Sequence, residues 1–205
     1  MTTWMKKVIE AEGVTEFAPG PHLKKLEERF GGSGAVMLLL DVSGSMSGNM
    51  RAAITGALGF VEEATGGGYL VGAALWHTRV EDYVAPAPDA TAVRQLLEGA
   101  SPMGGTNISS ALELAGDLLM KIDVTDRVVA VFGDGDLGDE DAARAEAHRL
   151  TRHGIRIITL GLGSASAAAL SVISTESLPT AAATTTTLSD DIRGLARGLS
   201  VRKQR

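Results

Sequence analysis

The stretch Ala35-Val-Met-Leu-Leu-Leu40, followed directly by Asp41-Val-Ser-Gly-Ser-Met-Ser47, decides the fold of this chain. Six consecutive apolar residues are typical of a strand buried on both faces, as in the centre of a parallel sheet. The polar residues that follow then lie at the carboxyl end of that strand. In an extended turn, side chains two residues apart point the same way, so Asp41, Ser43 and Ser45 can bring three oxygens to one point.

One carboxylate and two small hydroxyls are hard oxygen donors, which suit Mg²⁺ or Mn²⁺ better than zinc. For this stretch alone a plainer interpretation stays open, namely a Ser/Gly turn whose Asp caps the following helix. Two later glycine-rich stretches, 101–107 and 128–135, each carry another oxygen donor, Thr106 in the first and Asp134 in the second. Asp134 also follows an apolar run, as Asp41 does.

Together these residues resemble the metal-ion-dependent adhesion site of the von Willebrand factor A family, in which Asp-x-Ser-x-Ser is followed by a distant Thr and a distant Asp. The resemblance covers roughly residues 35 to 200, and the metal ligands that it implies are Asp41, Ser43, Ser45, Thr106 and Asp134. It also implies that the three hydroxyls bind the cation directly and that one or both carboxylates act through water. One coordination position is then open to an Asp or Glu of a partner. Family members often have Thr or Ser before the second Asp, and here Gly133 stands in its place.

Alternating strand and helix patterns predict the rest of the domain. Tyr69–Trp76 and 79–84 are separated only by His77 and Thr78, which is too short for a parallel crossover, so they should form an antiparallel hairpin. The alternation predicts an α/β fold: a doubly wound, Rossmann-like, mostly parallel six-stranded sheet in the order 3-2-1-4-5-6, with one antiparallel edge strand and helices on both faces. Ligands bind such sheets where the strand order switches, which is between the strands that end at Asp41 and Asp134.

Boundary signals place the remaining elements. The predicted helices span 50–66, 90–98, 108–119, 139–153, 166–174 and 190–199, and the further strands span 127–132, 155–160 and 180–187. Pro86 and Pro88 should end the hairpin, and Asp89 and Asn107 can cap the helices that follow them. Residues 35–205 form the predicted domain. Residues 1–34 are an appendage whose short amphipathic helix, 22–30, either packs on the domain or binds a partner.

Composition excludes several classes of function. The 205 residues contain no cysteine, so there is no disulfide framework or thiolate metal site, and a reducing compartment is favoured. A formal charge of -6 argues against a nucleic-acid surface. Without a signal-peptide core or a run of about 20 apolar residues, we expect a cytoplasmic protein with no membrane span. The histidines show no metal-ligand spacing and are interpreted as surface or capping residues: His22, His77, His148 and His153.

These observations favour a metal-dependent protein–protein interaction module that is not an enzyme. By resemblance, one candidate partner is an AAA+ ATPase of the MoxR or chelatase type, and tellurite-resistance-like stress systems are another setting. Acidic residues near the second Asp could raise cation affinity, or repel an acidic partner and so limit binding to a carboxylate flanked by basic residues: Asp136, Asp139, Glu140 and Asp141. For Asp139 to Asp141 the plainer interpretation is a solvated helix start. Two alternatives are a Mg²⁺-dependent phosphohydrolase on the same fold, for which only Arg51 is a nearby cation, and a structural subunit with an empty site.

Overall fold

Strand β1, Gly34–Asp41, is the central strand of the sheet, and every one of its residues is buried. In the computed structural model, which describes residues 34–175, 181–184 and 187–201, the sheet has the order β3-β2-β1-β4-β5-β6. The other strands are β2 (Tyr69–Trp76), β3 (Val80–Ala87), β4 (Asp126–Gly133), β5 (Ile155–Leu162) and β6 (Ala181–Ala183). All neighbours pair in parallel except β2 and β3, which are antiparallel. The predicted α/β class, the hairpin and the order of the five long strands are confirmed.

Helices cover both faces of the sheet. They are α1 (Met50–Gly66), α2 (Thr91–Glu98), α3 (Ser109–Leu119), α4 (Glu140–Arg152), α5 (Gly163–Leu170) and α6 (Leu188–Val201). Alternate residues of β1 serve two separate cores, because successive side chains of a strand point to opposite faces. Leu38 and Leu40 pack with α1, α2 and α6, whereas Met37 and Leu39 pack with α3 and α4. By the same alternation, Asp41 belongs to the face that α3 and α4 cover.

The sixth strand is shorter than the predicted stretch 180–187, since it contains only Ala181–Ala183. Thr184 and Thr187 instead bond to each other, with 3.1 Å between their hydroxyl oxygens, and the Thr187 N–H donates to the Thr184 carbonyl at 3.0 Å. Threonine hydroxyls compete in this way with ladder hydrogen bonds. This bonded pair of threonines lies between β6 and α6.

The hairpin also differs from expectation at its far end. Strand β3 continues through Pro86 to Ala87, although we expected Pro86 to end it. The pairing register shifts between Val71 and Ala73, so that β3 has an extra residue there, which is a β-bulge. A bulge on an edge strand tolerates proline because no ladder hydrogen bond is needed from its nitrogen.

Most predicted helix boundaries hold to within one or two residues. Helix α5 is an exception, because it begins at Gly163 directly after β5 rather than at Ser166. Gly163 has φ +84°, which only glycine adopts readily, and this permits the abrupt change from strand to helix. Within the described ranges, none of the helices has both the length and the apolar character that a bilayer crossing requires. The helix predicted for 22–30 lies outside the described residues.

Candidate metal site

The candidate site lies at the carboxyl edge of the sheet, where its order switches. Strands β1 and β4 are parallel neighbours, with Leu40 opposite Phe132. Asp41 is the last residue of β1, and Asp134 directly follows the last residue of β4. The two carboxylates therefore leave the sheet side by side, as the strand order predicts.

The loop after β1 is a 3-10 turn, Gly44–Gly48, rather than the extended turn that we expected. The Ser43 carbonyl accepts the Met46 N–H at 3.0 Å, as 3-10 geometry requires. The turn nevertheless brings the Ser43 and Ser45 hydroxyl oxygens to 3.0 Å from each other. The Ser43 N–H donates to Asp41 Oδ1 at 2.8 Å, so the first three predicted ligands form one connected group.

The loop that carries Thr106 lies directly on this turn. The Met103 N–H donates to the Val42 carbonyl at 2.7 Å, and the Gly44 N–H donates to the Gly104 carbonyl at 3.2 Å. Asn107 then fixes the start of α3, because its Oδ1 accepts the Ser109 N–H at 3.0 Å, as predicted. Thr106 itself is partly exposed.

The loop after β4 closes against the same segment. The Ile108 N–H donates to the Leu137 carbonyl at 3.2 Å. Gly138, with φ +72°, packs so closely on the Thr106 backbone that a β-carbon there would collide with it. Asp134 is partly exposed, and its Oδ1 lies 3.5 Å from the Asp136 nitrogen. Three separate loops thus meet at the edge of the sheet, and together they carry all five predicted ligands.

Asp41 is the electrostatic centre of the site. Its carboxylate is fully buried, and its Oδ2 has no hydrogen-bond partner among the described residues. The pKa of Asp41 is raised to about 6, mainly because burial disfavours the charged form; hydrogen bonds from Ser43 oppose this shift, and the nearby charge of Asp134 adds to it. A buried carboxylate with one unpaired oxygen is costly unless a positive charge balances it.

The donor set fits a hard divalent cation. No group of three or more His, Cys, Asp or Glu side chains in the described part of the chain could hold a metal ion. A cation at this edge would therefore depend on two carboxylates and three hydroxyls: Asp41, Asp134, Ser43, Ser45 and Thr106. Such an all-oxygen set suits Mg²⁺ or Mn²⁺ rather than a softer metal.

Gly133 leaves room for the Asp41 carboxylate. A β-carbon at position 133 would lie 3.0 Å from Asp41 Oδ2 and 3.1 Å from its Cβ, which is tighter than ordinary contact. A Thr or Ser, which is common in the family at this place, would therefore press on the carboxylate. The absence of a side chain at Gly133 therefore lets the Asp41 carboxylate occupy its buried position.

The interpretation of His77 as a surface or capping residue is wrong. His77 is only 8 % exposed, and its Nε2 lies 3.2 Å from Glu81 Oε2. Its carbonyl accepts the Asn107 N–H at 2.7 Å, and Gly104 lies against its ring. The signal for this role was its position one residue after Trp76, the partner of Asp41 in the sheet. His148 and His153 are exposed, as expected.

The fold and this edge define a class of protein: a doubly wound α/β domain that presents carboxylates and hydroxyls at its switch point. Residues 36–136 match the family model described as von Willebrand factor type A domain. This match confirms the family resemblance over that part of the chain. No curated protein is similar enough to count as a match.

Solved structures show the same fold. The von Willebrand factor domain of Mfa5, a type V pili tip protein from Porphyromonas gingivalis, superposes with a TM-score of 0.76 at 13% identity, over 84% of this chain and 96% of that one. The pilus adhesin SpaC from Lactobacillus rhamnosus GG gives 0.68 at 13% identity, over 81% of this chain and only 30% of the adhesin. An aerotolerance-related membrane protein from Bacteroides fragilis gives 0.55 at 24% identity, over 63% of this chain and 67% of that chain.

Proposed function

We propose that this chain is a von Willebrand factor A-type binding module that holds Mg²⁺ or Mn²⁺ and uses it to bind an Asp or Glu of a protein partner. The proposed ligands are Asp41, Ser43, Ser45, Thr106 and Asp134. The observation that carries the proposal is the buried Asp41 carboxylate, whose Oδ2 has no partner in the described ranges, beside the Ser43–Ser45 hydroxyl pair. The family match over residues 36–136 supports the same interpretation.

The chemistry of the site follows from its donors. Asp41 and Asp134 balance the charge of a dication, while neutral hydroxyls add no further negative charge. The bound cation would supply an electrophilic position for an incoming carboxylate. Burial strengthens such a charge-assisted contact, so that it can anchor a small interface.

Binding rather than catalysis is part of this proposal. Lys121 is the single lysine among the described residues, and it follows the end of α3 that lies away from the site. The His77 imidazole is already engaged with Glu81. Phosphate-ester hydrolysis needs a cation to hold the phosphate and a base near the metal. Among the described residues the candidate cations are Arg51, which follows the metal loop, and Arg79, which lies 3.8 Å from Glu81. Turnover of generic phosphate esters that is lost in Asp41→Asn would overturn this part of the proposal.

Thermal unfolding with added metal tests the cation site. We expect millimolar Mg²⁺ or Mn²⁺ to raise the Tm of the wild-type chain by a few degrees relative to EDTA, since a ligand that binds only the folded state stabilises it. Asp41→Asn and Ser43→Ala should remove the shift. Ser47→Ala is the matched control, because among the described residues this exposed hydroxyl bonds only to the Gly44 carbonyl of the turn. If neither metal raises the Tm of the wild-type chain, the result would instead support a structural subunit with an empty site.

The partner is sought by affinity capture from the source cells with and without EDTA. We expect a captured protein to be released by EDTA and missed by Asp41→Asn. We propose that the captured partner is an AAA+ ATPase. Equal capture in Mg²⁺ and EDTA would contradict metal-dependent binding.

We also propose a cytoplasmic location, because the chain contains no cysteine. Cell fractionation tests this proposal, and recovery at the cell surface would overturn it.

A further inference from the structure

A groove of about 350 Å³ opens beside the candidate metal site, between the β2–β3 hairpin and α2. Its lining includes Val42 and Met103, which belong to two of the loops that form the site and are joined by the 2.7 Å bond from the Met103 N–H to the Val42 carbonyl. A partner segment that reaches the site from this side would therefore pass directly over the groove.

The groove has an apolar floor and an acidic wall. Leu75 and Leu96 supply apolar surface, and Met103 is 37 % exposed at the end nearest the site. Glu81 and Asp82 line the opposite side. Asp82 pairs with Leu75 across the antiparallel ladder, so its carboxylate stands on the same face as that leucine.

The two acidic residues differ in how far they are already paired. Glu81 lies 3.2 Å from His77 Nε2 and 3.8 Å from Arg79 Nη2. Asp82 is exposed and accepts the Tyr83 N–H at 2.8 Å, and it forms no ion pair with any residue in the described ranges. Asp82 is therefore the carboxylate that is free to receive a positive charge.

We propose that this groove, defined by Val42, Leu75, Asp82, Leu96 and Met103, binds a Lys or Arg side chain of the same partner segment that supplies the carboxylate to the metal. Lys and Arg combine a long apolar stem with a cationic end, which matches an apolar floor beside a free carboxylate. The inference rests on the proposed metal-dependent binding and specifies its partner as a segment with both an acidic and a basic residue.

A peptide array tests the proposal with the whole chain as the probe. Each ten-residue peptide has one Asp at a fixed position on a Gly/Ser background, with one Lys, one Glu or no further charge at each other position in turn. In Mg²⁺ we expect Lys at one range of spacings to increase binding by roughly three- to fivefold over the Asp-only peptide, the gain of one partly exposed ion pair. Glu at the same spacings should reduce binding, and EDTA should abolish all of it.

Substitution at Asp82 separates the groove from the metal. Asp82→Asn should bind the Asp-only peptide and Mg²⁺ like the wild-type chain while losing the preference for Lys. Asp82→Lys should reverse the preference toward Glu. Asp123→Asn is the control, because it removes an exposed acidic residue from the loop before β4, at the amino ends of the strands and away from the groove.

The outcomes distinguish a failure of the proposed groove from a failure of the proposed metal site. Metal-dependent binding that is insensitive to Lys, or a Lys preference that Asp82→Asn retains, overturns the groove and leaves the metal site standing. If no peptide binds in a Mg²⁺-dependent way, both proposals fail.

Discussion

Asp41 shows how folding changes the chemistry of a single residue. At the end of β1 its carboxylate is buried beside β2 and β4 instead of lying in water, and this burial raises its pKa above the ordinary range, to about 6. The folded metal-free chain therefore pays an electrostatic penalty above that pKa, which a bound cation would relieve.

The first prediction concerns stability against pH in EDTA. Between about pH 4 and pH 6 the folded chain retains a proton on Asp41 that the unfolded chain has lost, so the free energy of unfolding should fall as pH rises through this window. The full difference is on the order of 2–3 kcal/mol. Asp41→Asn should remove this dependence and be the more stable chain at pH 8. Urea unfolding at several pH values measures it, and an unchanged pH dependence in Asp41→Asn would contradict the assignment.

The second prediction concerns Gly133, where a methyl group would press on Asp41 Oδ2 at 3.0 Å. Gly133→Ala should destabilise the fold by about 1–2 kcal/mol through overpacking and weaken Mg²⁺ binding several-fold. Gly48→Ala is the control, because nothing lies within 4 Å of a β-carbon at that position in the 3-10 turn. Isothermal titration with Mg²⁺ and urea unfolding measure the two effects, and equal behaviour of the two variants would refute the packing argument.

At the scale of elements, the site depends on how the loop before α3 is held against the hairpin. His77 supplies a carbonyl to Asn107, and its ring packs on Gly104, which has φ +66°. The loop that carries Thr106 is thus attached both to β2 and to the 3-10 turn. Its conformation depends on one glycine that no other residue can replace without strain.

The third prediction compares two neighbouring glycines of this loop. Gly104→Ala combines a left-handed backbone with a collision against His77, so it should cost about 1–3 kcal/mol and reduce Mg²⁺ affinity. Gly105→Ala should change little, because its nearest neighbour, Thr78 Oγ1, is at an ordinary 3.5 Å. Urea unfolding and Mg²⁺ titration compare them. Similar losses in both variants would show that the loop is not held as described.

At the scale of the whole molecule, a separate hydrogen-bond network joins the amino ends of the strands, on the side of the sheet away from the site. The Tyr69 hydroxyl donates to Asp126 Oδ2 at 2.6 Å and lies 3.2 Å from the Leu199 carbonyl of α6. Arg156 holds the same Asp126 carboxylate through two bonds of 2.9 and 2.7 Å. This network joins β2, β4, β5 and the last helix.

The fourth prediction follows from that network. Tyr69→Phe should destabilise the chain by about 1–2 kcal/mol, because it leaves part of a charged network unsatisfied. Hydrogen exchange in α6 should also become faster, while Mg²⁺ affinity stays unchanged because the site lies at the carboxyl ends of the strands. Tyr83→Phe is the control, since that side chain is 47 % exposed on the edge strand. A loss of Mg²⁺ affinity in Tyr69→Phe would mean that the two ends of the strands are coupled.

Local patterns were enough to predict the main elements. The apolar run of β1, the two-residue connection of the hairpin and the acidic start of α4 each depend on residues that are close in sequence. The same locality explains the errors. The 3-10 turn after Asp41 and the short β6 depend on competing hydrogen bonds of serine and threonine, which periodicity does not show.

The sequence by itself determined which oxygen donors this protein has, their order along the chain and the strands whose ends carry them. Only the tertiary structure decided that three distant loops meet, and that His77 and the Asp82 groove lie beside them. It also decided that Asp41 is buried, with one carboxylate oxygen that no described residue pairs. The reason is that side-chain chemistry and periodicity are local properties. Burial and the approach of distant segments depend instead on sheet register and on the packing of helices that are far from Asp41 in the sequence.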